Sequence, residues 1–542
     1  MSAHTDPVVR RLSGRFQVSL VWEGCLVGLA GGLLVTLYRL SLTWAEGTIR
    51  AFVSTFGEHP ERIAMLFVGL VLAAVAVAAL VRWEPTTSGS GIPQVDAEVM
   101  GSMDMPWHRV VVAKFAEGTL AALGGLSLGR EGPSVQLGGM AGKAVSKLLR
   151  RGRGEERLLV TCGAGAGMAA AFHAPLTGVM FALEEIHKTF NAALIISVMC
   201  SAVVSDYVAS QILGLKPVIA FGLSGFLPHE SYWVLVVFGL AMGLIGAAHN
   251  AGMFATQDVL SRIRWKSPFG RFLVPFVIAG GVALSAPILM DGGDAILKLL
   301  EQRTGITVAL LAALLIGKFL FTGVCFGAGV PGGTLFPLVV MGALAGALLG
   351  EAGTSLFGFD PALVTNFMVL GIAGMFASAI RAPVTAVVLA FELTGSLDAL
   401  LSLSVVSVVA YVTANVLHVD PYYEHLLAKL LGLSADEAHD RWGSQGRQLH
   451  SYVVESGCDA AGRLISELDW PKQALIVTVT RCGKQIMPRG FTRLMEGDRL
   501  LVLLEEQRGG DSESRVRRLL HGSFAPRQEM NGLRISKDAQ LQ

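Results

Sequence analysis

The feature that most constrains this chain is an uninterrupted apolar run, Ile63–Leu80, which reads IAMLFVGLVLAAVAVAAL and carries no charge. About 20 apolar residues in a helix cross the hydrocarbon core of a bilayer. In lipid, backbone polar groups must bond to one another, which a helix achieves. The run therefore predicts a membrane-spanning helix. Comparable apolar stretches recur at 17–44, 107–128, 133–149, 157–172, 176–186, 190–214, 231–254, 271–290, 306–327, 334–352, 362–379, 383–394 and 399–417.

Several of these stretches are too short or too rich in glycine for a simple crossing. The chain contains 64 glycines, and a glycine inside a helix in water costs about 1 kcal/mol. In membranes, small residues instead let helices pack closely. Broken helices at membrane depth are tolerated where they are buried or line a cavity. We therefore expect an all-α polytopic transporter or channel with broken helices over residues 1–430.

Charged residues are concentrated at the C-terminal end, where residues 431–542 hold 31 of the 85 Asp, Glu, Lys and Arg side chains. We expect a polar linker over 431–447, a small α/β cytosolic domain over 448–507 and disorder over 508–542. The pattern within the domain predicts strands at 449–455, 474–481 and 496–506, a hairpin in which 474–481 pairs with 485–490, and a helix at 460–468.

Several classes of function are disfavoured by composition. The formal net charge of +1 argues against a general attraction to nucleic acid. The six cysteines show no metal-ligand spacing, and no cluster of a nucleophile with a base stands out. We therefore expect no metal, no cofactor and no enzymatic activity.

Part of the membrane region repeats itself. Residues 163–184 align with residues 371–392 with nine identities in 22 positions. Two related halves with a site at their interface are typical of transporters, and the sequence leaves open whether the halves are inverted. Further matches at an offset of 204 pair Lys114 with Lys318, Gly129 with Gly333 and Pro133 with Pro337.

Three segments rich in glycine and proline interrupt the apolar runs, at 89–93 (GSGIP), 129–133 (GREGP) and 329–337 (GVPGGTLFP). Each precedes a helix-competent run, and proline is favoured at the first helical position. A helix N-terminus carries about half a positive charge and unpaired N–H groups, which together bind anions. Three such ends aimed at one point would hold an anion inside the membrane without a full cation, which could bind it too tightly to release it.

These three segments, in this order, resemble the CLC chloride channel/transporter family over residues 15–430. The resemblance implies a homodimer in which each subunit has its own anion pathway, formed from two inverted halves. It implies a central-site hydroxyl at Ser90 and a second one at Tyr423. The adjacent Tyr422 is the alternative for this second hydroxyl. The sequence departs from the family at 334–336, where Thr-Leu-Phe replaces the more usual Ile-Phe-Ala. The predicted anion-binding set is Ser90, Gly91, Ile92, Arg130, Gly132, Gly333, Thr334, Leu335 and Tyr423.

Glu131 is the predicted outer gate and proton site. A carboxylate among anion-binding helix ends can occupy the place of the anion when it is ionised, and can swing away once it is protonated. One side chain then couples proton and anion occupancy. The structural alternative is a glutamate favoured at a helix N-terminus by the dipole. Arg130 either supplies positive potential at the outer mouth or is solvated at the interface.

Two adjacent glutamates distinguish an exchanger from a channel. The repeat pairs Glu184 with Glu392, which favours a structural role shared by both halves. Glu185 pairs with Leu393, so the second half has no equivalent carboxylate. In the CLC family, a glutamate at the position of Glu185 is the inner proton acceptor of exchangers, and channels usually lack it. The resemblance therefore favours coupled exchange, with Glu131 and Glu185 as the gating and proton-transfer residues.

The C-terminal domain is similar, from Asp469 to Val502, to the TrkA-C (RCK C-terminal) regulatory domain. That resemblance implies a module that is often dimeric and sometimes senses a nucleotide or an ion. A stabilising dimerisation domain without a small ligand is the alternative.

The resulting hypothesis is a homodimeric antiporter that exchanges chloride and similar anions for protons. Basic residues cluster at 10–15, 143–157 and 262–271, and such clusters favour the cytoplasmic side. We therefore expect a multi-pass protein of the inner membrane with both termini in the cytoplasm. The alternatives are a passive chloride channel and, from another class, a ligand-sensing membrane receptor with the tail as its output.

Overall fold

The computed structural model divides the chain into two compact units, Met1–Leu431 and Gly432–Gln542. Most of the predicted linker and everything after residue 521 fall outside the described residues. The structure describes residues 7–57, 59–190, 192–214, 221, 232–263, 268–302, 306–395, 399–433, 447–455, 457–471, 474–481, 484–505 and 511–521.

The first unit is helical. Seven of its described helical segments are long and apolar enough to cross a membrane. The charge-free run lies in the second helix, which has the highest mean hydropathy of these segments, 2.9. The helices are α1 Pro7–Ser54, α2 Arg62–Trp83, α3 Ile92–Met100, α4 Trp107–Leu123, α5 Glu131–Leu148, α6 Arg153–Phe172, α7 Pro175–Phe181, α8 Ala192–Leu213, α9 Tyr232–Arg262, α10 Pro268–Ser285, α11 Asp294–Gln302, α12 Val308–Gly327, α13 Leu335–Phe357, α14 Val364–Ile380, α15 Pro383–Thr394, α16 Leu400–Val416 and α17 Tyr422–Leu431.

Several helices are too short to span a bilayer. Helix α3 has nine residues, and α7 has seven and continues into a π-helical turn, Ala182–His187. At 1.5 Å per residue, seven residues cover about 10 Å, a third of the hydrocarbon core. Proline stands at the first or second position of α3, α7 and α15, where its missing N–H is not needed. The predicted broken helices are thus confirmed.

The sequence repeat corresponds to two equivalent helix pairs. In the first half, α5 and α6 cross where a Cβ on Gly163 would collide with the carbonyl oxygen of Gly138. In the second half, α13 and α14 cross where a Cβ on Gly371 would collide with the carbonyl oxygen of Gly342. These glycines are equivalent in the repeat. The glycine-rich stretch of each half therefore serves close helix packing, as small residues do in membranes.

The second unit is a four-stranded antiparallel sheet with the strand order β1-β4-β2-β3. Alternate residues of the strands face a small core that includes Val479, Leu500 and Val502, each fully buried. The three predicted strand regions are confirmed. The elements are β1 Arg447–Val453, β2 Ala474–Arg481, β3 Lys484–Ile486, β4 Arg499–Glu505 and a final helix, α18 Asp511–His521.

Two expectations for this unit are wrong. The predicted helix at 460–468 forms only a short 3₁₀ turn, Ile465–Glu467. Its N–H groups bond across to the 490–494 segment instead, as when Gly462 donates to Leu494 O at 2.8 Å. The predicted disorder over 508–542 is contradicted at 511–521, which form α18, because the i,i+4 pair Val516 and Leu520 is fully buried in the core of the sheet.

Candidate functional site

The three glycine/proline segments meet at one place. The N–H of Gly129 donates to Gly333 O at 2.6 Å, and the N–H of Gly333 donates back to Gly129 O at 2.8 Å. The first segment joins the third in the same way, because Gly89 N–H donates to Gly329 O at 3.3 Å and Gly332 N–H donates to Gly89 O at 3.1 Å. The starts of α3, α5 and α13 are thereby held next to one another, which the separate motifs could not show.

Glycine is required where these segments touch. A Cβ on Gly132 would lie 2.5 Å from both the carbonyl oxygen and the hydroxyl of Ser90. A Cβ on Gly333 would lie 2.8 Å from the backbone nitrogen of Gly132. Gly91, with φ +99°, caps α3 in the left-handed region that favours glycine. The predicted residues Gly91, Gly132 and Gly333 are therefore the points of closest backbone approach.

A buried lysine holds the first segment in place. The Nζ of Lys114, which is fully buried, donates to the carbonyl oxygens of Thr87 and Gly89, both at 2.7 Å. In the second half, Lys318 Nζ donates in the same way to Asp291 O at 2.6 Å. Asp291 lies 204 residues after Thr87 (291 − 87), the offset that relates the two lysines. The lysines thus bind backbone carbonyls in both halves, which is a structural role.

Two hydroxyls are left open at the meeting point. Ser90 and Tyr423 are 2% and 1% exposed, and their side chains are neighbours. Neither hydroxyl has a hydrogen-bond partner among the residues that the structure describes. A buried hydroxyl without a partner costs about 1–3 kcal/mol, so this pair is suited to a ligand that accepts hydrogen bonds.

The choice between the two tyrosines follows from their rings. The ring of Tyr423 packs edge-on against Phe181, with 6.4 Å between centroids, on the side of Ser90. The ring of Tyr422 instead stacks on Phe254 at 5.9 Å. Tyr423 is therefore the tyrosine beside Ser90.

Glu131 reaches from the start of α5 to the start of α13. The residue is fully buried, and its Oε2 accepts the N–H of Phe336 at 3.2 Å. The first N–H groups of a helix have no acceptor within that helix, so the carboxylate occupies the N-terminal end of α13. Its Oε1 has no partner within the described part of the chain. Thr334 and Leu335 are buried at this same helix start.

Arg130 does not pair with Glu131. No ion pair joins these two side chains in the described structure, and the guanidinium lies 5.3 Å from the centroid of the Phe336 ring. A cation over an aromatic face is stabilised without a carboxylate. Arg130 is only partly buried and lines the entrance next to Glu131.

Glu185 lies on the other segment that packs near Tyr423. It is 6% exposed, and its Oε1 has no partner among the described residues. Asp96 of α3 is 2% exposed and is an electrostatic neighbour of Glu185, and one of its oxygens is also without a partner in the described structure. Tyr423 has both Glu131 and Glu185 among its electrostatic neighbours, so the open hydroxyls lie within the influence of two buried carboxylates.

Glu184 has a different environment from Glu185. Its Oε2 accepts the N–H and the hydroxyl of Thr385, at 2.8 and 2.7 Å, at the start of α15. Glu392 of α15 does the same for Thr177 at the start of α7, both at 2.6 Å. Each glutamate caps the helix of the other half, as the repeat predicted for a shared structural role.

Two clefts approach the meeting point. The first cleft is lined by Arg130, Gly332 and Phe336, and also by the acidic side chains of Glu46 and Asp294. A second cleft is lined by Ser90 together with Arg271 and Lys429. One cleft thus lies beside Arg130, the neighbour of Glu131 in the sequence, and the other reaches Ser90.

Sequence reasoning brought the right segments together but missed three contributors. The donor to Glu131 is the N–H of Phe336, one residue beyond the predicted pair Thr334 and Leu335. Lys114 was visible as a repeat match, but its contact with the first segment was not. Asp96, two residues after the GSGIPQ stretch, could not be identified from the sequence, because a single aspartate near a helix start carries no distinctive spacing. The binding and proton-transfer roles of all the predicted residues stay predictions.

Comparison with known proteins agrees with this architecture. Residues 72–415 match the voltage gated chloride channel family, and residues 449–509 match the TrkA-C domain. The H(+)/Cl(-) exchange transporter ClcA of Vibrio vulnificus is 31% identical over 431 residues, covering 77% of this chain and 91% of that protein.

Solved structures show the same fold. A slow cyanobacterial Cl-/H+ antiporter matches with a TM-score of 0.72 at 27% identity, covering 76% of this chain and 98% of that one. A CLC-type fluoride/proton antiporter matches with a TM-score of 0.62 at 22% identity, covering 75% of this chain and 97% of that one. This chain is a multi-pass membrane protein that belongs to the voltage gated chloride channel (CLC) family, with the broken-helix inverted repeat of that family and a C-terminal TrkA-C domain.

Proposed function

We propose that this protein is a secondary transporter that exchanges chloride for protons. The observation that carries the proposal is a pair of buried hydroxyls without partners in the described structure, on Ser90 and Tyr423, placed near two buried carboxylates, Glu131 and Glu185. The relatives named H(+)/Cl(-) exchange transporters support the same activity. A channel needs the hydroxyls alone, whereas an exchanger also needs proton carriers.

The anion binds to donors that carry no full charge. Chloride accepts hydrogen bonds from Ser90 and Tyr423 and from the free N–H groups at the start of α13, near Thr334 and Leu335. Backbone donors at helix N-termini attract an anion and release it more easily than a buried lysine would. Lys114, which contacts the first glycine/proline segment, is already occupied by two carbonyl oxygens.

Glu131 competes with the anion for the same helix end. When ionised, its carboxylate accepts the N–H of Phe336 and fills the anion-binding end of α13. Protonation removes the charge that holds it there, so the side chain leaves and a chloride ion can take its place. Each exchange of Glu131 for chloride therefore moves one proton, which is the coupling step.

Glu185 supplies protons from the opposite side. It is buried and keeps one carboxylate oxygen without a partner in the described residues, so a proton can be held there without breaking a structural bond. Its neighbour Glu184, which has its oxygens engaged in a helix cap, is not suited to this task.

The protein is further proposed to be a homodimer in the inner membrane with both termini in the cytoplasm. The basic residues around Arg150 and Arg153, between α5 and α6, support this orientation by their number. The TrkA-C domain is proposed to regulate transport by binding a small ligand.

Flux measurements in liposomes test the transport proposal. An outward chloride gradient should drive protons uphill in liposomes that contain the purified chain, and Glu131→Gln should abolish proton movement while anion flux remains. Glu155→Gln, at a partly exposed carboxylate of α6, is the matched control and should leave coupling intact. Chloride flux without uphill proton movement in the unmodified protein would instead identify a passive channel.

A further inference from the structure

A four-membered charge cluster includes the inner glutamate. Its members are Asp96 of α3, Glu185 of the π-helical turn, Lys188 directly after that turn, and Glu424 of α17, and Lys188 is an electrostatic neighbour of the other three. Lys188 is the cation of this cluster, against three carboxylates. Its Nζ lies 2.8 Å from Oε1 of Glu424, and the two side chains are 26% and 34% exposed.

This ion pair connects the two parts of the transport site. Lys188 lies three residues after Glu185, the inner proton site, and Glu424 directly follows Tyr423, which carries an anion-site hydroxyl. The Tyr423 hydroxyl has no hydrogen-bond partner among the described residues, so ring packing on Phe181 and Tyr422 and the position of α17 determine where it points. The Lys188–Glu424 ion pair is a charged contact of α17 at the residue next to this tyrosine.

The backbone at Lys188 supports a specific role. Lys188 has φ +54°, in the left-handed region, which a residue other than glycine adopts at a cost of about 1–3 kcal/mol. A glycine there would avoid that strain but would remove the cation. The left-handed turn ends the π-helical segment and turns the chain at Lys188.

We propose that Lys188, through its ion pair with Glu424, is a positioning residue that sets the ratio of protons to chloride ions moved. The ion pair keeps the segment that carries Glu185 and the helix that carries Tyr423 in a fixed relative position. Chloride is therefore not transported unless Glu185 transfers a proton in the same cycle. Without the pair, Tyr423 and Glu185 move independently, and chloride leaks without its proton. This inference rests on the exchange activity proposed above.

The experiment measures proton and chloride fluxes together in liposomes for four single variants and one double variant. Lys188→Gln and Glu424→Gln each remove one charge of the pair, and we expect the proton-to-chloride ratio to fall roughly three- to fivefold, the change in a conformational equilibrium that loss of one partly exposed ion pair can produce. Lys188→Arg retains the charge and should restore the ratio. Lys147→Gln is the matched control, because Lys147 lies in the last turn of α5 and pairs with Glu156 at 2.7 Å.

The outcomes separate this inference from the proposed activity. Absence of uphill proton movement in the unmodified protein would reject the exchange activity itself. A coupled unmodified protein with unchanged ratios in Lys188→Gln and Glu424→Gln would reject the positioning role, as would an equal fall in Lys147→Gln. The double variant Lys188→Gln/Glu424→Gln should be no worse than either single variant, because both remove the same contact; additive losses would also overturn the proposal. If Lys188→Gln does not fold, Glu424→Gln and Lys188→Arg decide the question.

Discussion

Gly132 is a residue at which two segments of the proposed anion site come into close contact. Its missing side chain leaves room for Ser90, whose carbonyl oxygen and hydroxyl would both lie 2.5 Å from an added Cβ. The carbonyl oxygen belongs to the backbone and cannot rotate away. A single methyl group at this position must therefore move the loop that carries the anion-site hydroxyl.

Gly132→Ala should reduce chloride flux in liposomes by at least about tenfold, because a displacement of about 1 Å in a preorganised site can cost about 100-fold. We expect a loss of about 1–3 kcal/mol in stability, as for other overpacked positions. Gly152→Ala is the control, since nothing lies within 4 Å of the added Cβ there. Wild-type flux in Gly132→Ala would show that Ser90 is not held by this contact.

The roles of residues at the site could be predicted from the sequence where the repeat or a motif allowed one position to be compared with another. Glu184 and Glu185 are adjacent and chemically identical, yet the repeat separated them, and the structure shows Glu184 as a cap at Thr385. The Phe336 N–H could not be predicted as the donor to Glu131, because one residue of register at a helix start depends on how α5 and α13 meet. That meeting is set by the Gly129–Gly333 bonds, which are long-range.

At the scale of elements, α7 and α15 are held by reciprocal caps. Glu392 bonds the N–H of Leu176 at 2.8 Å and that of Thr177 at 2.6 Å, while Glu184 bonds Val384 and Thr385 in the same way. A carboxylate at a helix N-terminus satisfies free N–H groups and favours the positive end of the dipole. The two short helices thereby stabilise each other although neither spans the membrane.

Glu184→Gln and Glu392→Gln should each lower stability by about 1–2 kcal/mol, the usual effect of losing a charged N-cap. Because the caps are equivalent, the two losses should be similar in thermal unfolding of the detergent-solubilised protein. The proton-to-chloride ratio should stay unchanged in both, whereas Glu185→Gln should lower proton flux more than chloride flux. A coupling defect in Glu184→Gln equal to that in Glu185→Gln would contradict this division of roles.

The sheet domain depends on a buried carboxylate, Asp498, which is 1% exposed. Burial alone would raise its pKa, but two hydrogen bonds of 2.8 Å from Arg481, together with the N–H of Met495, outweigh that effect and lower the pKa of Asp498. A carboxyl with a lowered pKa in the folded state adds stability above about pH 4, its value in the unfolded chain. That contribution disappears as the pH falls through the lower, folded value.

Asp498→Asn should therefore lower the stability of the domain by about 1–3 kcal/mol at pH 7, and the difference from the unmodified protein should shrink toward pH 3. The measurement is the urea midpoint of the β2 and β4 peptides in the full chain, read by pulsed hydrogen exchange and mass spectrometry. Asp469→Asn is the control, because Asp469 pairs with Arg515 but is 86% exposed. An equal difference between Asp498→Asn and the unmodified protein at both pH values would refute the role of the charge.

Elements were predictable where local pattern and tertiary context agree. The apolar runs with proline at their starts became helices, because helix formation is the way a single segment satisfies its backbone in lipid. The helix expected at 460–468 does not form, because N–H groups of this segment donate to the 490–494 segment instead. Gly462 N–H, for example, donates to Leu494 O. In water, short helical patterns are decided by such tertiary bonds.

In the molecule as a whole, the proposed transport site is built by contacts between the two repeat halves. Gly129 bonds Gly333, Glu131 bonds the N–H of Phe336, and each half caps a helix of the other. The repeat made this two-half architecture predictable. The distances between the halves were not predictable from the sequence. They arise from glycine contacts that no local pattern specifies, such as the contact of Gly132 with Ser90.

Every residue of the proposed site lies in the first unit, which ends with α17 at Leu431. Tyr423 is buried in the main helical core, while the sheet domain has a separate core of its own. A chain ending at Leu431 should therefore retain the proton-to-chloride ratio of the full chain in liposomes, and only ligand-dependent changes in rate should disappear. Ending the chain at Pro421 instead removes α17 and its tyrosine, and should abolish coupling. Uncoupled chloride flux from the folded 1–431 chain would show that the C-terminal domain takes part in the exchange step itself.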